Sequence, residues 1–243
     1  MAAFGLLRFR DTPFATGLDL RLHMNGFPLL DVLRSLPSGA PAAAFLRHAE
    51  RFPITDIADP AAAEITPAGA LSAEEFGRQL SGFDYVRLFH SPVKRCRQTA
   101  ECLARGAAAA GLGVELVGPE DALGIDYILD FKEAGRLTVE HGEHFVRLWF
   151  TEKVSPSVIR AARELADRKL AYVAGRLREP CTRARRLDLH VSHDWNIIVL
   201  RELVCGVRHE EAGWLDFLDG IAFTPVANGV RAICGNRAVT ANV

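Results

Sequence analysis

Tyr85-Val86-Arg87-Leu88-Phe89-His90-Ser91-Pro92 is the stretch from which the architecture is read. Residues 85–89 are β-branched, aromatic or leucine apart from one arginine, which is the composition of a strand. Ser91-Pro92 then marks the start of a helix, because serine caps orphan N–H groups and proline is preorganised for the first helical position. That helix is expected to run to about Ala109. The same grammar recurs on both sides. Ala42 to Leu46 is a short apolar run that ends in a polar cluster at Arg47, and Thr66-Pro67 opens a helix to about Leu80. Val114 to Val117 is a further strand. Leu187 to Val191 alternates as a strand, and an apolar helix from Trp195 to Val204 stops at Gly206. Ile221-Ala222-Phe223 and Val230-Arg231-Ala232-Ile233 close the chain, with Asn228-Gly229 between them as a hairpin turn. Strand alternating with helix at this spacing specifies an α/β fold with a largely parallel sheet.

Two segments break the alternation. Residues 1–40 are punctuated by Gly and Pro around one amphipathic stretch (Leu29, Leu30, Leu33, Leu36), and are expected to be an N-terminal arm packed on a single domain spanning 41–243. Residues 120–180 are expected to be a helical, cap-like insertion over the sheet edge. Its clearest element is one long helix that opens at Ser155-Pro156 and carries Ile159, Ala162, Ala166, Leu170, Val173 and Leu177 at helical spacing as far as Pro180.

Composition bounds the function. The 243 residues carry 29 Lys+Arg against 30 Asp+Glu, a net charge of −1, so no chain-wide positive field is available for nucleic acid. They are 49% hydrophobic and 24% charged, as expected of a globule with a core, and no apolar run reaches the ~20 residues of a membrane span. Cys96, Cys102, Cys181, Cys205 and Cys234 are scattered, without a CxxC pair or metal-ligand spacing. Together with an N-terminus interrupted by Arg8 and Arg10, they predict a cytoplasmic protein.

Three polar clusters each follow a strand: Arg47-His48-Ala49-Glu50-Arg51-Phe52-Pro53, Ser91-Pro92-Val93-Lys94-Arg95, and Ser192-His193-Asp194. Ligands of open α/β sheets bind beyond the carboxyl ends of the strands, so the three clusters can converge on one crevice. Arginine forks match phosphate oxygens, and a histidine among arginines is kept neutral and nucleophilic. Arg95 falls in the first turn of its helix, where free N–H groups already favour an anion. This inventory suits a phosphoryl group.

Arg47-His48-x-x-Arg51-x-Pro53 resembles the RHGxRxP signature of the histidine phosphatase superfamily, with Ala49 in place of the usual glycine. Ser91-Pro92-x-x-Arg95-x-x-x-Thr99-Ala100 resembles its second-arginine motif. Ile65-Thr66-Pro67-x-Gly69, with Ala73 and Gly77, is similar to the helix that lies between them. His193-Asp194 resembles the HD pair of the acid phosphatase branch, where the mutase branch has His-Gly. The resemblance implies a three-layer α/β/α sandwich of phosphoglycerate mutase-like fold and hydrolysis of a small phosphomonoester through a phosphohistidine. By that resemblance His48 is the nucleophile and Asp194 the proton donor, while Arg47, Arg51, Arg95 and His193 hold the phosphoryl oxygens. No metal or other cofactor is needed, since the guanidiniums neutralise charge. A phosphomutase using the same histidine, or an impaired phospho-ligand-binding protein, are the alternatives.

Other residues read as structural. Asp194 also suits a helix N-cap. His190 and His193 are three apart on a strand and so face opposite sides, which makes a shared ion an unlikely reading. Glu50 and Asp126 are reserve acids, read as structural. Lys94, Arg97 and the run Arg183 to Arg186 read as solvated, as does the turn bearing His141 and His144; Trp195 and Trp214 read as core.

Overall fold

A computed structural model describes residues 26–37, 39–54, 61–142, 144–181 and 185–243. Most of the arm expected over 1–40 therefore lies outside the described residues, as do positions 183 and 184 of the arginine run. Seven strands form one sheet: β1 (Ala42–Arg47), β2 (Tyr85–His90), β3 (Gly113–Pro119), β4 (Arg186–Ser192), β5 (Gly220–Val226), β6 (Gly229–Cys234) and β7 (Arg237–Asn242). Their order is β3-β2-β4-β1-β5-β6-β7. The first four are mutually parallel, and the last three add antiparallel strands at one side. β7 is a strand that the sequence does not announce, because Arg237, Thr240 and Asn242 dilute its apolar alternation. The hairpin turn falls on residues 227 and 228, one position earlier than expected.

Period-two alternation divides each central strand between two cores. Ala42, Ala44 and Leu46 of β1, Val86 and Leu88 of β2, and Leu187, Leu189 and Val191 of β4 face one core. There they meet α1 (Pro28–Ser35), α2 (Pro67–Arg78) and α3 (Lys94–Ala109). Ala43, Phe45, Phe89, Ile221 and Phe223 face the other core, against α6 (Ala162–Arg178) and α7 (Asp194–Leu203). The result is the three-layer α/β/α sandwich. A third cluster, with Tyr127, Phe145, Trp149, Ile159 and Leu165, belongs to the segment carrying α4 (Phe131–His141) and α5 (His144–Phe150). The last helix, α8 (His209–Ala212), is a single turn. No described helix is long and apolar enough to cross a membrane.

Three local expectations are corrected. The long helix begins at Ala162 rather than at Ser155-Pro156, because residues 155–158 form a turn and Ile159 makes a bridge to Ile128. This helix packs on a sheet face as part of a layer, through Leu170, Val173, Ala174 and Leu177. The helix after β2 begins at Lys94, with Val93 rather than Ser91 at the N-cap. Arg186 is not solvated: it is 1% exposed in β4, donating from Nη1 to Glu179 O at 2.9 Å and from Nη2 to Arg176 O at 2.8 Å. Its guanidinium satisfies carbonyls at the end of α6, where a cation is also favoured by the helix dipole.

Two glycines set how closely α2 and α3 cross. A Cβ on Gly77 would overlap Leu103 O, and one on Gly106 would overlap Glu74 O. Gly106→Ala is therefore expected to destabilise the fold by about 1–3 kcal/mol in urea unfolding, since both clashing atoms are backbone and cannot rotate away. A second test concerns His190, wholly buried between the rings of Phe45 and Phe89. Burial first, and then the charges of Arg176, Arg87 and Arg186, hold its pKa well below the usual histidine value. The unfolded chain then binds a proton that the folded chain refuses, so stability falls as pH drops below about 6.5. His190→Phe should flatten part of that acid limb in pH-dependent unfolding; an unchanged slope would discount His190 as a contributor.

Candidate active site

Parallel pairing aligns the carboxyl ends of the central strands. Arg47 lies beside Ser192, and His90 beside Val191. His48 N extends the ladder by one bond, donating to Ser192 O at 3.0 Å. The nucleophile candidate therefore stands on the same backbone ladder that presents His193 and Asp194.

His48 is 3% exposed, and its Nδ1–H donates to Ala49 O at 2.8 Å. A carbonyl only accepts, so the proton is on Nδ1 and the lone pair is on Nε2. Arg95 Nε–H donates to that Nε2 at 3.1 Å, and Arg95 Nη2 donates to His193 Nδ1 at 3.2 Å. The remaining His193 nitrogen, Nε2, carries its proton and donates to Ser91 Oγ at 2.9 Å. Ser91, released from capping α3, thus orients a histidine instead. One guanidinium bridges two neutral imidazoles whose ring centres are 5.7 Å apart.

Burial is the main reason that both histidines are neutral. The pKa of His48 is lowered well below its ordinary value by burial, then by the charge of Arg95 and by His193. That of His193 is also lowered, by burial and then Arg95, with Asp194 opposing. At Asp194 burial pushes the other way, but Arg47, the Trp214 N–H, His193 and the Trp195 N–H together hold the carboxyl below its usual range. It is a carboxylate at neutral pH in the resting site.

Arg47 is held on three sides. Its Nη2 lies 3.2 Å from Asp194 Oδ2, its Nη1 donates to Leu215 O at 2.6 Å, and its Cζ stands 4.1 Å above the Phe217 ring. Asp194 Oδ1 accepts from Trp195 N at 2.9 Å, and Oδ2 accepts from Trp214 Nε1 at 3.1 Å. The N-cap of α7 is His193, so Asp194 stands one position past the expected cap, as the first helical residue, where a carboxylate is favoured by the helix dipole.

The surroundings fix the loop that carries His48. Ala49 N donates to Thr99 Oγ1 at 3.0 Å, and Thr99 Oγ1 donates to Arg95 O at 2.7 Å. Thr66 caps α2 through a bond from Gly69 N at 2.9 Å, and a Cβ on Gly69 would overlap Glu50 O. The 120–180 segment approaches these residues through Tyr127, which lies within electrostatic reach of Asp194 and Arg95, and through two carbonyls. Ser192 Oγ donates to Leu123 O at 2.8 Å, and Asn196 Nδ2 donates to Gly124 O at 2.7 Å.

The contacts above bring together Arg47, His48, Arg95, His193 and Asp194. The contact described for Arg51 is local, from Nη1 to Phe52 O at 3.0 Å. Glu50 accepts from Thr66 Oγ1 at 2.7 Å, and Asp126 pairs with Arg168 at 3.1 Å, both structural roles. His190 faces away from His193, with Nδ1 3.3 Å from Tyr172 OH. Glu202, His209 and Glu210 are close enough to share an ion, but Arg147 already bridges both carboxylates, and the cluster is not part of the arrangement around His48. Sequence reasoning missed Trp214 and Phe217. The available signal is topological: β5 runs antiparallel to β1, so the loop before β5 must meet the end of β1, where Leu218 N donates to Arg47 O at 3.1 Å.

Residues 44–116 match the family model of the histidine phosphatase superfamily, branch 1. His193-Asp194 lies outside that span. No curated protein sequence matches the chain. Among solved structures, a mycobacterial glucosyl-3-phosphoglycerate phosphatase superposes with a TM-score of 0.54 at 17% identity, over 83% of this chain and 100% of that one. Phosphoglycerate mutase from Bacillus anthracis str. Sterne gives 0.54 at 14% identity, over 85% and 93%. The structure described as mycobacterial hydrolase 2 gives 0.55 at 16%, over 83% and 92%. At such identities these likenesses establish the fold. The chain is thus similar to the histidine phosphatase superfamily over residues 44–116 and has the phosphoglycerate mutase-like α/β fold.

Proposed function

We propose that the protein is a phosphatase that hydrolyses a small phosphomonoester through a phosphohistidine at His48. The observation that carries this reading is the pair of shared arginines: Arg95 is bonded to the His48 lone pair and Arg47 to the Asp194 carboxylate. A phosphate dianion binding at both guanidiniums takes them from these partners. His48 Nε2 is then free to attack, and Asp194, losing its cation and gaining a nearby anion, becomes easier to protonate. Binding of the right ligand thus prepares both reacting groups.

In the first step His48 Nε2 forms a bond to phosphorus as the ester P–O bond breaks, and the Asp194 proton goes to the leaving oxygen. In the second, water attacks phosphorus and the N–P bond breaks. Asp194 takes the water proton, and inorganic phosphate leaves. Arg47 and Arg95 would face the oxygens on which charge develops, the arrangement that stabilises phosphoryl transfer electrostatically, and His193 would join them as a donor once a dianion in place of the Arg95 contact favours a proton on its Nδ1. Arg51, three residues beyond His48, is assigned to the same set of phosphate-binding side chains by its place in the RHxxRxP pattern. An acid directly after His193 favours hydrolysis over mutase chemistry.

The test is covalent trapping with a 32P-labelled aryl phosphate, quenched in alkaline detergent. Wild type should carry an acid-labile, alkali-stable label and release phosphate. His48→Ala should carry none and lose activity by more than about 10⁴-fold, because without the nucleophile no covalent intermediate forms. Asp194→Asn should hydrolyse alkyl esters about 10²–10⁴-fold more slowly while still being labelled by the aryl ester. Phosphate release by His48→Ala at the wild-type rate would overturn the proposal, as would transfer to a second substrate with no release to water.

A further inference from the structure

We propose that Trp214 is a positioning residue for proton transfer, anchoring the Asp194 carboxyl through its indole N–H after Arg47 has turned to the phosphate. The inference rests on the reading of His48 and Asp194 given above. Asp194 Oδ2 has two described donors, Arg47 Nη2 at 3.2 Å and Trp214 Nε1 at 3.1 Å. Substrate withdraws the charged one. The neutral one has no affinity for a cation's role at the phosphate beyond a single hydrogen bond, and it remains on Oδ2. Because an indole N–H donates and never accepts, it keeps the acid proton off the lone pair that it occupies. The proton is directed to the lone pairs that remain, and the carboxyl is held against rotation while it is delivered.

The backbone on either side of Trp214 is built to hold it. Gly213, at a φ of +76°, turns the chain out of α8, and its carbonyl accepts from Arg201 Nη2 at 2.6 Å. Leu215 is 1% exposed, and its carbonyl accepts from Arg47 Nη1. Between these anchors the indole is 36% exposed, packed edge-on against His209 with ring centres 5.8 Å apart. It is therefore open to solvent on one side and bonded to the candidate acid on the other. Charged and titratable groups facing Asp194 are Arg47 from β1, Arg95 and Cys96 from α3, His193 beside it, and Tyr127 from the segment ahead of α4. His209 faces the far side of the indole. All of these remain in a Trp214→Phe variant, which removes only the N–H and part of the ring.

The N–H bond also favours the ionised carboxylate, so its loss makes Asp194 hold its proton to higher pH. In wild type, kcat for an alkyl ester such as glycerol 2-phosphate should fall as pH rises through the Asp194 pKa of the bound enzyme. Trp214→Phe should move that limb up by ~0.5–1 pH unit and lower the plateau, because the proton is less well aimed. With 4-nitrophenyl phosphate, whose leaving group needs no proton, kcat should change less than about twofold. In an Asp194→Asn background, Trp214→Phe should add nothing to the loss on the alkyl ester. An unmoved limb, an equal loss on both esters, or a further loss in the Asp194→Asn background would overturn the proposal. Failure of wild type to form the His48 label would instead sink the reading beneath it, which the trapping experiment reads separately. Thermal melting of both variants identifies a folding defect, and the limb position, read from the shape of the profile, does not depend on the fraction folded.

Discussion

Parallel pairing of β1 with β4 is the constraint on which the site depends. The register Arg47↔Ser192 puts two strand ends, 145 positions apart in the chain, side by side. A slip of one residue would exchange the two faces of a strand and send His193 to the wrong side of the sheet. The packing guards against such a slip. Ala43 and Phe45 belong to one core while Ala44 and Leu46 belong to the other, so a shifted β1 would put every side chain into the wrong layer. Gly220 adds a further lock, since a Cβ there would overlap Phe45 O and only close backbone approach fits β5 against β1. The geometry around His48, His193 and Asp194 is inherited from the register of the core.

On that frame the chemistry is arranged through shared cations. Arg95 serves two imidazoles and Arg47 a carboxylate. The buried charges are thereby not left unpaired, which would cost several kcal/mol. On the reading proposed above, an anion with better geometry would displace both partners together. Thr99 joins the two halves, holding the loop after His48 by its oxygen and the first turn of α3 by its hydrogen.

Much of this is written locally in the chain. The strand–polar cluster–helix grammar locates β1, β2 and β4 and the residues beyond their ends, because alternation and turn chemistry are short-range properties. The helix starts were less legible. Ser91-Pro92 and Ser155-Pro156 both carry the residues that open helices, and in neither place does a helix open there. At Ser91 the hydroxyl is engaged by His193, a partner 102 residues away; at Ser155 the following turn is held to Tyr127 and Leu129 by backbone bonds. Long-range bonds override local propensity in both cases. Arg186 was misread for a related reason, as its burial depends on the end of α6 coming to meet it. Trp214 carries no signal of its own, since an isolated tryptophan after Gly213 is compatible with any core. Only the antiparallel return of β5 brings it to Asp194.

The attachment of the 120–180 segment has a consequence for how such a protein can change. Between β3 and β4 the chain makes a long excursion, yet the described side-chain bonds to it from Ser192 and Asn196, at the end of β4 and in α7, go to the carbonyls of Leu123 and Gly124. Carbonyls are supplied by any residue, and a bond to them places almost no demand on sequence. The excursion also builds an aromatic cluster in which Tyr127 and Trp149 pack against Trp195 of α7, the residue that follows Asp194. The stretch from Ile125 to Arg160 is therefore joined to the surroundings of Asp194 by packing as well as by bonds. On the reading proposed above, a change in its length or sequence that keeps Tyr127 and the two carbonyls in place leaves those surroundings intact, while one that displaces Tyr127 alters them.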